Sequence, residues 1–167
     1  MENKIYIEDN FFSSGKTSIK NSRNERIGDL DLKTAFSTSI TVYDIHNREL
    51  AAGKFKHFFS SNWLVSSSGE IRGTLKANWF SFAKKYTYTT HNREHQYTIT
   101  SPVLSKSFTI MDERYQDVAT FTRVNSFFSS PAYELTNLTD QLSAEEFIVV
   151  VMGINAMEKN QTAATSS

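Results

Sequence analysis

A chain of 167 residues has room for one domain with a real core, and 13 Phe, 7 Tyr and 2 Trp exclude a disordered polymer. The lack of cysteine excludes disulfides, thiolate metal centres and cysteine nucleophiles, and fits a reducing compartment. Formal net charge is zero, yet residues 48–106 carry nine Lys/Arg against three Glu, while residues 107–167 carry three against eight acids. Such a basic centre either steers the protein to an anionic surface or is cancelled by acidic neighbours on the folded surface. The N-terminal MENKIYIEDN has no apolar run, so no secretory signal peptide is expected and a cytoplasmic location is.

The chain then repeats one unit. FFSS occurs at Phe11–Ser14, Phe58–Ser61 and Phe127–Ser130, with related openings AFSTS at 35–39, WFSFAKK at 79–85 and VLSKSF at 103–108. Each opening leads into strand, polar turn and strand, at a spacing that marks an internal repeat. Tyr86-Thr87-Tyr88-Thr89 and Tyr97-Thr98-Ile99-Thr100 alternate with the period of a half-buried strand. Asn, Asp and Gly occupy the turns, where left-handed backbone is tolerated. The strands are expected near 5–9, 17–21, 26–32, 38–44, 49–56, 63–66, 70–77, 85–90, 94–100, 107–111, 117–124 and 132–136. A run of hairpins this long escapes its open edges by closing into a barrel. Twelve strands make a bore too wide for the wall side chains to fill, since about eight is the number that just fills.

The last segment supplies a filler. Ser143 and Glu146 have capping-box spacing, and the two acids Glu145 and Glu146 suit a helix N-terminus. A helix over about 143–158 is apolar all round through Phe147, Ile148, Val149, Val150, Val151, Met152 and Ile154, so it asks for burial on every side. Its apolar run is too short to span a bilayer, which takes about 20 residues. The helix is therefore expected inside the barrel, with Gly153 permitting close approach to the wall. Residues 1–158 form the domain on this reading, and 159–167 a disordered polar tail.

The hairpin units, FTIMDERYQDVATFTRV at 108–124 and the terminal apolar helix together resemble the tubby C-terminal-like superfamily. Within it they are most similar to small bacterial single-domain members related to the plant LURP-one-related proteins. The resemblance implies a twelve-stranded β-barrel enclosing a C-terminal helix. It implies little about activity: tubby domains bind phosphoinositides through basic side chains, and phospholipid scramblases share the fold. No position here matches the tubby lipid-binding residues one by one.

Motifs for catalysis are weak. Gly15-Lys16-Thr17 ends like a phosphate loop, but Asn10 stands where that motif needs glycine. His91 and His95 lie in a turn, with no further ligands to complete a metal site. Asp29 and Asp31 alternate on one strand, and an exposed strand face accounts for them. One Phe of each FFSS unit is expected to pack against the helix. No nucleophile elbow is present, and neither enzyme activity nor a cofactor is read from the chain.

The best candidate surface is the basic set Lys54, Lys56, Arg72, Lys76, Lys84 and Lys85. If neighbouring strands pair in sequence order, these residues converge on one side of the wall. The expected function is non-catalytic binding of anionic phospholipid headgroups, or of a protein partner, at a membrane surface. The alternative is a structural or stress-related protein-interaction scaffold without a small ligand. Nucleic acid is not expected, since no reading element accompanies the charge, and neither is a transmembrane span.

Overall fold

All twelve expected strands form. The computed structural model describes residues 3–8, 15–33, 39–57, 60–78, 84–102, 106–127 and 130–165. The strands are β1 (Lys4–Glu8), β2 (Lys16–Lys20), β3 (Arg26–Asp31), β4 (Ser39–Asp44), β5 (Glu49–Phe55), β6 (Asn62–Ser67), β7 (Glu70–Asn78), β8 (Lys84–Thr90), β9 (Gln96–Ser101), β10 (Phe108–Met111), β11 (Asp117–Phe127) and β12 (Ser130–Asn137), followed by the helix α1 (Ala144–Thr165). Each strand pairs antiparallel with its sequence neighbours, and β1 closes the sheet on β12, with Ile5 opposite Leu135. Closure gives every described strand a neighbour on both sides.

The turn chemistry repeats at one rim. In the β2–β3 turn Asn21 Oδ1 accepts from the N–H groups of Arg23 and Glu25. Asp44 Oδ1 does the same for His46 and Arg48, and Asp112 Oδ1 for Arg114 and Gln116. Each turn then places one residue at positive φ: Asn24, Asn47 and Tyr115. The side-chain cap and the left-handed residue fix the register of each hairpin.

Helix and wall side chains fill the bore together. Every residue of α1 from Phe147 to Ile154 is buried, as its all-round apolar character requires. The helix lies off-centre, against β4–β7 and β12. There two inward positions of β5 are small, Ala51 and Gly53. The other side of the bore is filled by Tyr86, Tyr88, Tyr97, Phe108, Phe121 and Tyr133, with Phe121 and Tyr133 stacked at 5.0 Å. Trp63 of β6 wedges between sheet and helix. A Cβ at Gly53 would come within 2.5 Å of its indole Nε1, and one at Gly153 within 2.5 Å of its Cδ1. The close approach expected of Gly153 is real, and Trp63 is what it approaches.

Two expectations change. The helix does not stop at 158 but continues to Thr165, so most of the expected tail is helical. Nothing after Gly153 breaks it: Ala, Met, Glu, Lys and Gln favour helix, and Glu158 is anchored by Lys84 Nζ and Tyr86 OH, both at 2.9 Å. Asp29 is not on an exposed face: it is buried under the Arg26 guanidinium, which binds both of its carboxylate oxygens. The aromatic residues of the FFSS units at 11–12, 58–59 and 128 lie outside the described residues. Among those described, no helix is long and apolar enough to cross a membrane.

The Trp63–Gly153 contact makes a stability prediction. Alanine for glycine in a helix ordinarily gains about 1 kcal/mol, but overpacking a filled core costs about 1–3 kcal/mol. Gly153→Ala is expected to lower unfolding free energy by about 1–2 kcal/mol in urea denaturation. The same change on a Trp63→Leu background is expected to be neutral or stabilising. Equal effects on both backgrounds would show that the indole does not set the helix position.

Candidate functional site

The register of β5–β8 decides which cations share a face. Lys54 lies opposite Leu64, Leu64 opposite Thr74, and Thr74 opposite Thr89. In the next row the Lys56 N–H donates to Asn62 O at 3.0 Å, Asn62 lies opposite Lys76, and Lys76 opposite Thr87. Lys85 follows, opposite Asn78. Inward residues alternate with these, including Gly53, Phe55, Val65, Leu75 and Tyr86, so Lys54, Lys56, Lys76 and Lys85 all project from the outer wall. Between them a groove of about 450 Å³ is lined by Lys56, Lys76, Leu64, Thr74 and Thr89, and is closed at the rim by His91 and Arg93. Among the described residues none of Lys54, Lys56, Lys76, Lys85 or Arg93 has an ion-pair partner.

Two members of the predicted set fall elsewhere. Lys84 shares the inward face of β8 with Tyr86 and is tied to Glu158 at the far end of the helix. Arg72 sits on a bulge: Val65 faces Gly73 and the next pair is Ser66 with Ile71, so Arg72 has no residue opposite. The bulge re-aims its side chain to the barrel end. In exchange the groove gains Arg93 and His91 from the β8–β9 turn, which strand alternation could not reveal.

Arg72 belongs to a second pocket, of about 420 Å³, between the β6–β7 and β8–β9 hairpin tips and the start of α1. Its floor is Glu146, which is 5% exposed. Ser143 Oγ accepts from the Glu146 N–H at 3.2 Å, which is half of the expected capping box. The return half is replaced, because the carboxyl takes a hydrogen bond from Tyr88 OH at 2.5 Å instead. Gly73 makes room for that ring: a Cβ there would fall 2.5 Å from the Tyr88 hydroxyl. Burial pushes the Glu146 carboxyl above the usual range, with Glu145 adding to the effect, although Tyr88 and the Arg72 charge act against it. Burial first, and the charge of Glu146 second, raise the Tyr88 phenol. Burial and the charges of Glu146, Glu113 and Asp112 push Tyr97 up to about 12, and its hydroxyl donates to Gln141 Oε1 at 3.0 Å. Among the described residues no cluster of three or more His, Asp or Glu could hold a metal.

Glu146 gives the fold a pH dependence. It holds its proton more tightly folded than unfolded, so its contribution is fully present below the unfolded value of 4.5. That contribution is lost as pH rises through the folded value. Glu146→Gln keeps an acceptor for Tyr88 and does not titrate. In urea denaturation from about pH 4 to 8, the variant is expected to gain on the wild type as pH rises, then level off. A difference that stays constant across the range would show that Glu146 does not titrate differently on folding.

Residues 3–151 match the sequence profile of the LURP-one-related family. The X-ray structure of a protein from Arabidopsis thaliana superposes with a TM-score of 0.60, covering 95% of this chain and 90% of that one, at 10% sequence identity. That likeness shows the shared fold. No curated protein sequence matches the chain. The family match runs from before β1 into the buried half of α1, taking in every strand of the barrel, and the chain belongs to the LURP-one-related family, part of the tubby-like superfamily.

Proposed function

We propose that this protein is a non-catalytic binding module that recognises anionic phospholipid headgroups through the outer face of β5–β8, as a cytoplasmic protein meeting a membrane at its surface. The observation that carries the reading is the set Lys54, Lys56, Lys76, Lys85 and Arg93, without ion-pair partners among the described residues, three of which (Lys56, Lys76 and Arg93) line one groove. Side chains with no internal countercharge are attracted to an external one. Each Lys or Arg at an anionic bilayer contributes about 1 kcal/mol, screened by salt. The threonine hydroxyls of the groove add neutral donors for phosphate oxygens.

A second reading, a protein-interaction scaffold without a small ligand, draws on a different observation. Ile45, Ile71, Tyr115 and Leu138 are 51%, 44%, 72% and 59% exposed, and all four sit in the hairpin tips or the β12–α1 link at the rim where α1 begins. Large apolar side chains at an exposed rim suit a protein partner.

Flotation with liposomes separates the two. Binding is expected to anionic or phosphoinositide-containing vesicles and not to neutral ones, and to weaken as salt rises. Replacing Lys54, Lys56, Lys76 and Arg93 with Ala is expected to weaken it by about three orders of magnitude. Lys84→Ala is expected to leave it intact, because that ammonium is committed to Glu158. Absence of binding at every composition, or equal loss with Lys84→Ala, sinks the lipid reading and favours the scaffold.

A further inference from the structure

We propose that the pocket at the barrel end binds a small carboxylate anion, with Arg72 as its countercharge and the buried Glu146 carboxyl facing it. This stands apart from the outer-wall reading and survives if that reading fails.

The pocket has the attributes of a ligand site. Its volume of about 420 Å³ lies in the range of small-molecule clefts. Arg72 has no hydrogen bond or ion pair from its guanidinium among the described residues, so a fork of donors faces the cavity. Such a fork matches a carboxylate with two parallel bonds. One Glu146 oxygen is taken by Tyr88, while the other receives no bond from the described residues. Gln141 spends its oxygen on Tyr97 OH, which leaves its amide donors on the lining.

The charge balance selects the class. Glu70 and Glu94 stand at the mouth and disfavour a dianion such as phosphate. A carboxylate monoanion meets one guanidinium and one carboxyl with which it can share a proton. Two carboxyls in contact share one proton, because both cannot ionise at close range. Binding therefore holds a proton on Glu146, taken from solvent where the free carboxyl is ionised. The groups facing Glu146 agree with this. Arg72 on β7 is engaged by the ligand, Tyr88 on β8 and Tyr97 on β9 stay neutral, and Glu145 on α1 opposes ionisation. His91 and His95 on the β8–β9 turn complete the lining on that side.

The test follows the amide signals of His91, Asn92, His95 and Gln141 in the full chain by NMR, at constant ionic strength. The probes are acetate, benzoate, inorganic phosphate, and a short peptide with either a free or an amidated C-terminus. Saturable shifts are expected with a carboxylate and not with phosphate or the amidated peptide. Whether acetate and benzoate or the free peptide binds more tightly identifies a metabolite or a chain terminus as the source. Arg72→Ala is expected to weaken binding by about tenfold or more, and Arg72→Lys by less, since the charge stays and the fork goes. For the wild type, Kd is expected to rise by about tenfold per pH unit once free Glu146 ionises. Glu146→Gln is expected to bind without that slope. Unchanged signals elsewhere in each spectrum show that the variant is folded. No saturable shift with any carboxylate, an equal response to phosphate, or affinity indifferent to Arg72 overturns the assignment.

Discussion

The bore of a twelve-stranded barrel is the constraint on which this structure depends. Closing the sheet removes every strand edge but creates an interior that wall side chains alone leave empty. The helix occupies that interior, and its position follows from side-chain size. Ala51 and Gly53 on the wall and Gly153 on the helix bring the two backbones together around the Trp63 indole. Six aromatic rings from β8–β12 take up the room on the far side. The indole Nε1 finds no hydrogen-bond partner among the described residues, a cost of about 1–3 kcal/mol for an orphaned buried donor. The fold tolerates it because the ring area buried there is large.

Helix placement then sets the chemistry at both ends through a single strand. The inward face of β8 carries Lys84, Tyr86 and Tyr88. The first two hold Glu158 where the helix leaves the core, and Tyr88 holds Glu146 where it enters. The carboxyl at the entry is thus buried under a phenol rather than left at the rim as an ordinary helix cap. A feature of packing becomes a feature of titration.

Much of the fold is legible in the amino-acid order, because its signals are local. The period of two in Tyr86–Thr89 and the Asn or Asp that opens the turns at 21, 44 and 112 require no knowledge of the partner strand. Neither does the unbroken apolar run of Phe147–Ile154. The end of α1 is harder to read: the polar residues after 158 resemble a tail in composition, yet nothing in them breaks a helix and Glu158 is tethered from another strand. The site is less legible for the same reason. Lys54, Lys56, Lys76 and Lys85 follow strand alternation and do share a face. Arg72 depends on a bulge, Lys84 on which side of β8 meets the helix, and Arg93 on the geometry of a turn. These are relations between strands, and the spacing of residues along one strand carries no trace of them.

The β8–β9 hairpin joins the two regions of functional interest. Thr90 and His91 line both the outer groove and the end pocket. The turn is held by its own side chains: Thr90 Oγ1 accepts from the His95 N–H and donates to Asn92 Oδ1, and Arg93 sits at positive φ. The His91 N–H donates to Arg72 O at 2.7 Å, which couples the turn to the bulge that re-aims Arg72. One turn thus supports the backbone behind Arg72 and supplies lining to both regions.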